Sequence, residues 1–168
     1  INEARDTRNE VPFQLGNLLR NISEEYARKA CDKALLFEQG HEVTDVMVKG
    51  DADKLEQVLD NLLTNAIKFT PAGTVRFHTR YAGGKLHVEI GDTGIGMDKE
   101  TLKRVFRPFE RAAQEVNSEG FGLGLFITKG LVKVLDGTLD VESRPGKGST
   151  FRLVFPLPET EEETETDD

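Results

Sequence analysis

The chain has 168 residues, 37% of them hydrophobic and 31% charged, with one Cys, no Trp and a formal net charge of −8. That is the composition of a soluble globular domain, and a single cysteine excludes an internal disulfide framework. Seven acidic residues fall in 159–168; without them 23 acidic residues face 22 basic ones, a balance of −1 that excludes a basic nucleic-acid surface.

Residues 1–11 are polar and aperiodic, and are read as a linker. The start at Ile1 rather than Met reads as a piece cut from a longer protein. Phe13-Gln14-Leu15 suggests a short strand, and residues 17–33 carry Leu18, Leu19, Ile22, Tyr26, Ala27 and Ala30 at helical spacing. Residues 34–38 and 43–48 read as two strands joined by a turn at Gln39-Gly40, a hairpin-like unit that Gly50 closes. Asp51 is the expected N-cap of the strongest helix, whose apolar stripe is Leu55, Val58, Leu59, Leu62, Leu63, Ala66 and Ile67. At about 100° per residue, Asn61, Asn65 and Lys68 share the opposite face. Residues 74–81 and 85–90 alternate apolar and polar around Ala82-Gly83-Gly84, the pattern of an antiparallel hairpin with one buried face. Asp98 is placed to cap a short helix to Val105. Another helix begins within residues 120–124 and runs to Leu135, and strands follow at 138–142 and 149–157 around Arg144-Pro145-Gly146-Lys147-Gly148. The expected fold class is α+β: a two-layer α/β sandwich with a mostly antiparallel mixed sheet and helices on one face. Residues 12–158 form one domain in this reading, and the acidic 159–168 a disordered tail or a linker.

Two glycine-rich turns, Gly91-Asp92-Thr93-Gly94-Ile95-Gly96 and Gly120-Phe121-Gly122-Leu123-Gly124, bracket a polar span containing Phe106 and Phe109. Together they suggest a nucleotide pocket with a lid. Asp92 ends a buried strand, where a carboxylate accepts a hydrogen bond from an exocyclic amine such as that of adenine. Gly94 and Gly96 leave room for the flat base. The glycines at 120, 122 and 124 open a helix, whose N–H groups and dipole suit phosphate. Lys68 adds positive charge, and the Asn61 and Asn65 oxygens suit Mg²⁺. Each piece has a plainer reading: an Asx-turn at Asp92, a solvated helix face at Asn61, Asn65 and Lys68, core packing at Phe106 and Phe109.

The order and spacing of the pieces resemble the catalytic and ATP-binding domain of sensor histidine kinases from about Phe13 to Pro158. Asp60-Asn61-Leu62-Leu63-Thr64-Asn65-Ala66-Ile67-Lys68-Phe69 is similar to the family's N box, and Asp92-Thr93-Gly94-Ile95-Gly96-Met97 to its G1 box. Phe106-Arg107-Pro108-Phe109-Glu110-Arg111 resembles the F box, Gly120-Phe121-Gly122-Leu123-Gly124-Leu125 the G2 box, and Gly146-Lys147-Gly148-Ser149-Thr150-Phe151 the closing turn and strand. The resemblance implies the Bergerat fold shared with gyrase, MutL and ATP-driven chaperones, with ATP and Mg²⁺ as cofactors. It implies Asp92 on the adenine amine, with Phe69 and Ile95 lining the base pocket. It implies Asn65 as Mg²⁺ ligand supported by Asn61, Lys68 on phosphate, and Arg111 reaching the γ-phosphate from the lid. Gly94, Gly96, Gly120, Gly122, Leu123, Gly124 and Thr150 complete the nucleotide site that it implies. Position 121 is Phe where the family more often has a small polar residue.

The family phosphorylates a histidine on a separate helical hairpin. His41-Glu42 superficially resembles such an acceptor, but the family's following proline is absent and His41 reads as part of a turn; His78 and His87 fall in expected strands. The resemblance therefore implies dimerisation helices and, indirectly, a receiver domain as partners, with no nucleic acid. It also implies a monomeric isolated domain and a cytoplasmic location, whether or not the parent is an inner-membrane sensor. Two rival readings stay open: a signalling module that binds nucleotide without phosphotransfer, and an anti-sigma-type serine kinase. A gyrase or MutL type of ATPase would carry a glutamate where Asn61 stands, so hydrolysis is expected to be poor.

Overall fold

The computed structural model describes residues 8–106 and 123–162. β1 (Val11–Gln14) runs straight into α1 (Leu15–Asp32), where the Gln14 side chain caps the helix by accepting the Asn17 N–H at 2.7 Å. Leu15, Leu19, Ile22, Tyr26 and Ala30 form the buried stripe of α1.

The hairpin expected between residues 34 and 48 does not form. β2 (Leu36–Glu42) includes Gln39, Gly40 and His41 and pairs in parallel with β4 (Thr74–Ala82), from Leu36↔Thr74 to Glu42↔Arg80. β3 (Met47–Gly50) pairs instead with β1 in a separate antiparallel ribbon. The glycine at 40 reads locally as a turn, but a partner distant in sequence holds it extended. Lys49 N–H donates to the Pro158 carbonyl at 2.9 Å and Thr160 N–H to the Met47 carbonyl at 3.0 Å, so the segment beyond residue 158 begins as a partner of β3. Residues 163–168 lie outside the described residues.

α2 (Ala52–Lys68) starts at Asp51, whose carboxylate accepts the Lys54 N–H at 3.1 Å. At its far end the Lys33 ammonium donates to the carbonyls of Ile67 at 2.6 Å and Lys68 at 3.0 Å, closing two groups the helix leaves open. β4 and β5 (Lys85–Asp92) form the expected hairpin. α3 (Lys99–Val105) begins at Asp98, as expected; α4 (Leu123–Val134), β6 (Thr138–Arg144) and β7 (Gly148–Pro156) follow. The main sheet has the order β2-β4-β5-β7-β6, mixed because β2 alone is parallel to its neighbour.

Val75, Phe77, Leu86, Val88, Ile90, Phe151, Leu153 and Phe155 make the buried face of the sheet. Against it lie the stripe of α1, the Leu55, Val58, Leu59, Leu62, Leu63 and Ala66 stripe of α2, and Leu125 and Val132 of α4. The other face carries His78, Arg80, Glu142 and Arg152 to solvent. Among the described residues no helix is long and apolar enough to cross a membrane.

Candidate nucleotide site

The site grows from the end of β5. Asp92 pairs with Val75 on one side and Ser149 on the other, so the central strands of the sheet fix its backbone. Its Oδ1 accepts the Gly94 N–H at 2.9 Å, the Asx-turn foreseen from the sequence. Burial pushes the Asp92 carboxyl above its ordinary range. The Gly94 and Ser149 amides, the Arg76 guanidinium and the Thr70 hydroxyl pull the other way without cancelling it.

Three backbone segments interlock around this carboxylate. The Ile95 N–H donates to the Phe69 carbonyl at 3.0 Å, and the Gly146 N–H donates to the Ile95 carbonyl at 2.7 Å. A Cβ at Gly94 would strike the Phe69 carbonyl oxygen, one at Gly96 the Arg144 carbonyl, and one at Gly148 the Asp92 carbonyl. Gly96 and Gly148 also stand at φ +68° and +90°, where L side chains are strained. The glycines thus bring the end of α2, the 92–96 turn and the 144–148 turn to one point.

Asn65, Ala66, Phe69, Asp92, Gly96, Met97, Leu125, Ser149 and Phe151 line a cavity of about 20 Å³ there. That volume holds about one water. Asn65 Nδ2 is buried in this wall with no hydrogen-bond partner. A Cβ at Gly124 would stand 3.6 Å from it, so the orphaned amide lies under the first turn of α4. Turning the amide over presents its oxygen at the same place.

Other expected residues are distributed unevenly. Asn61 does not join the cavity: its Nδ2 donates to Thr128 Oγ1 at 3.3 Å, and that hydroxyl donates to the Gly124 carbonyl at 2.7 Å. The Asn61–Asn65 face of α2 is therefore packed against α4 rather than simply solvated. Lys68 is exposed, with its ammonium 5.8 Å from the Phe69 ring centroid. Ile95 is 46% exposed on the outside of its turn. Thr150 alternates onto the outer face of β7, in register with Glu142, while its neighbours Ser149 and Phe151 line the cavity. The Leu123 backbone begins α4. Arg111, Gly120, Gly122 and Phe109 lie outside the described residues.

Sequence reasoning missed Ser149 and Ser143. Ser143 Oγ accepts the Met97 N–H at 2.8 Å and lies 2.7 Å from Ser149 Oγ. The detectable sign was parity, because Ser149 stands two residues before the buried Phe151. His41 lies in β2 rather than in a turn, with Nε2 2.7 Å from Ser23 Oγ and Nδ1 2.7 Å from Thr79 Oγ1. Burial and the nearby His78 depress its pKa.

A sheet covered by helices on one face, with a half-buried aspartate between glycine turns facing an orphaned asparagine, defines a nucleotide-binding class. Residues 50–159 match the family described as histidine kinase-, DNA gyrase B-, and HSP90-like ATPase, and the chain belongs to that family. It is 43% identical over 114 residues to the sensor histidine kinase RcsC of Salmonella typhimurium, covering 67% of this chain and 12% of that protein. It is 38% identical over 161 residues to the autoinducer 2 sensor kinase/phosphatase LuxQ of Vibrio parahaemolyticus, covering 89% of this chain and 18% of that protein. The chain thus spans 12% and 18% of the length of these two relatives. Among solved structures, full-length ShkA in complex with AMPPNP matches 92% of this chain and 32% of its own, at 28% identity and a TM-score of 0.74. A nucleotide-free catalytic domain of the histidine kinase ThkA matches 88% of this chain and 95% of its own, at 25% identity and a TM-score of 0.73.

Proposed function

We propose that this chain is the ATP-binding catalytic part of a sensor histidine kinase, donating the γ-phosphoryl of ATP to a histidine carried on separate dimerisation helices. The observation that carries the reading is the meeting of Asp92 and the partnerless Asn65 amide in the wall of one cavity. The ionised Asp92 carboxylate accepts the adenine amine, and Phe69 flanks the base. Gly94 and Gly96 let the Phe69 and Arg144 carbonyls close in on the turn that carries Asp92. Asn65 fits a ligand to Mg²⁺, which when bound supplies charge neutralisation at the phosphates; Asn61 holds the helix face behind it through Thr128. Lys68, exposed at the end of α2, is free to meet phosphate. The first turn of α4 offers its N–H groups there. Arg111, Gly120 and Gly122 would complete the phosphate end.

In the transfer step an imidazole nitrogen attacks the γ-phosphorus, the bond to the β-phosphate oxygen breaks, and ADP leaves. The imidazole proton passes to a base beside the acceptor. Among the described residues nothing supplies that pair. Both ring nitrogens of His41 are engaged, and His78 and His87 stand away from the cavity. The chain's own contribution is positioning and charge. A receiver domain would take the phosphoryl group from the acceptor in turn.

The test is calorimetric titration of ATP and ADP, with and without Mg²⁺, on this chain and on Asp92→Asn. ATP binding that strengthens with Mg²⁺ is expected. The variant, which replaces an acceptor-only group by an amide, is expected to bind about a hundredfold more weakly. Equal affinity in the two proteins would remove adenine from Asp92, and stable phosphohistidine on the chain alone would contradict the external acceptor.

A further inference from the structure

We propose that Arg76 is a positioning residue for the nucleotide and acts through Asp92: its guanidinium, seated on Gly91 behind the pocket, holds the Asp92 carboxylate in the charged form that an adenine amine requires. The inference rests on the adenine reading of Asp92 above.

Arg76 of β4 and Gly91 of β5 are directly opposed in the hairpin, next to the Val75–Asp92 pair. Side chains alternate along a strand, so Asp92 points with the buried Val75 and Ile90 toward the helices, while Arg76 and position 91 share the other face. That face is open, yet Gly91 is buried. Arg76 covers it. A Cβ at Gly91 would overlap the Arg76 Nη2 and stand 2.8 Å from Cζ and 3.4 Å from Nε. The space of the missing side chain is thus the space in which the guanidinium lies. Gly91 is not among the glycines at positive φ, so backbone conformation gives no reason for glycine there. Glu38 faces Arg76 across β2 with no ion pair between them.

A buried carboxyl favours its neutral form, and a neutral carboxyl is no longer acceptor-only. A cation inside the pocket would correct this, but it would occupy the oxygens that the base needs. Arg76 supplies its charge from the neighbouring position, across the sheet. The Asp92 side chain meanwhile accepts from the Gly94 N–H and stays in the cavity wall. The other charges on elements packed around Asp92 are placed differently. Lys68 at the end of α2, Asp98 before α3, Lys129 on α4, Glu142 on β6, and Arg144 and Lys147 in the 144–148 turn are all exposed to solvent that screens them. The charge of half-buried Arg76 is the one that pulls the Asp92 carboxyl back toward its ordinary range. Arg76 therefore acts on nucleotide binding without touching the nucleotide, and Gly91 is the seat that allows it.

The experiment follows the Asp92 carboxyl carbon by NMR against pH without nucleotide, its signal being the one absent from Asp92→Asn. ATP binding is titrated by calorimetry over the same range. The proteins are the unmutated chain, Arg76→Gln, Arg76→Lys, Gly91→Ala and the paired Arg76→Gln/Gly91→Ala variant, each established as folded by thermal melting. In Arg76→Gln both midpoints are expected to move up by about half a pH unit, the scale of one unit charge ~6 Å off in a water-like medium. ATP affinity well above the midpoint should stay unchanged. Arg76→Lys, which keeps the charge, should hold the parent midpoint. Gly91→Ala, whose Cβ displaces the guanidinium, should move it the same way as Arg76→Gln, and the paired variant no further, because the two act as one unit. An unmoved carboxyl in folded Arg76→Gln or Gly91→Ala overturns the inference. So does a loss of ATP affinity that is equal at every pH, the mark of a structural role. Should Arg76→Gln not fold, Arg76→Met carries the same expectation, and an unmoved carboxyl in it is equally fatal. A chain whose ATP affinity is indifferent to Asp92→Asn defeats the adenine reading itself; a chain that needs Asp92 while its carboxyl ignores Arg76 defeats only this inference.

Discussion

The two ends of α2 hold buried polar groups of opposite character. At the start, Asp51 is 3% exposed and fully occupied: Asn9 N–H donates to it at 2.8 Å, Lys54 N–H at 3.1 Å and the Lys54 ammonium at 3.0 Å. A hollow of about 180 Å³ opens beside it, walled also by Arg8, Leu55 and Phe155. Arg8 there is already paired with Asp136 at 2.8 Å and the Val134 carbonyl at 3.1 Å. About four turns along the helix, Asn65 sits in a cavity a ninth as large with its amide nitrogen unanswered. Size does not mark the unsatisfied place, since the larger hollow is the one whose polar groups are answered. What separates them is whether the polar groups are satisfied, since a folded chain tolerates a buried orphan only where something else completes it.

This contrast can be broken in order of expected effect. Asp51→Ala removes a cap and the acceptor of the Asn9 N–H. Urea unfolding should show a loss of about 2 kcal/mol, with ATP affinity of the folded protein unchanged; an affinity loss would mean that the two ends are not separate. Asn65→Ala should do the reverse. Unfolding free energy should change by less than about 1 kcal/mol, because no bond at Nδ2 is lost, while the strengthening of ATP binding by Mg²⁺ falls about tenfold. A large stability loss would make Asn65 a structural residue like Asp51.

Acidity sharpens the same contrast. Burial pushes Asp51 up, but the Asn9 and Lys54 amides and the Lys54 ammonium outweigh it and hold the carboxyl below its ordinary 3.8. A depressed pKa contributes stability that is present above 3.8 and is lost as pH falls through the folded value. Asp92 is raised, so its ionisation contributes the opposite slope: stability present below 3.8 is lost as pH rises through the higher folded value. Adenine binding nonetheless needs the charged form, and should weaken as pH falls through that raised value. Titrating unfolding and ATP binding side by side from pH 3 to 7 (a range about the reference carboxyl pKa) should show unfolding flattened at its acid end in Asp51→Asn, with the binding midpoint unmoved. The smallest effect is on the solvent face of the sheet, where Arg152 reaches Glu89, Glu142 and Asp140. Arg152→Ala should leave both the melting midpoint and ATP affinity unresolved from the parent.

Local pattern carried much of the architecture. The stripe from Leu55 to Ala66 is buried as its period required, and the β4–β5 hairpin turns through Gly83 and Gly84 at φ 61° and 75°, conformations glycine adopts without strain. Pairings that depend on distant partners were not legible: nothing within residues 36–50 reveals that β2 joins β4 while β3 joins β1. At the site, Asp92, Asn65, Phe69 and Gly96 were named in advance and do line one cavity. The packing of Asn61 against α4 was not legible, because facing direction alone does not show that α4 covers that side of α2. Thr150 was named and Ser149 was not, because a motif marks a segment, whereas strand parity decides which of two neighbours points inward.

The lone parallel pairing has a kinetic consequence. The β4–β5 hairpin closes through two glycines, but β2 can dock only after residue 36 is brought to residue 74 with α2 already formed between them. Such a closure costs entropy that the local hairpin does not, and the β5–β7 pairing, from Asp92↔Ser149 to Lys85↔Pro156, closes a longer stretch still. β2 also ends the sheet and leaves Leu36 69% exposed, so little burial holds its first residue. That lightly buried edge is where the sheet is expected to open first. The pocket, built on α2, β5 and β7, belongs to the slower-exchanging part of the molecule.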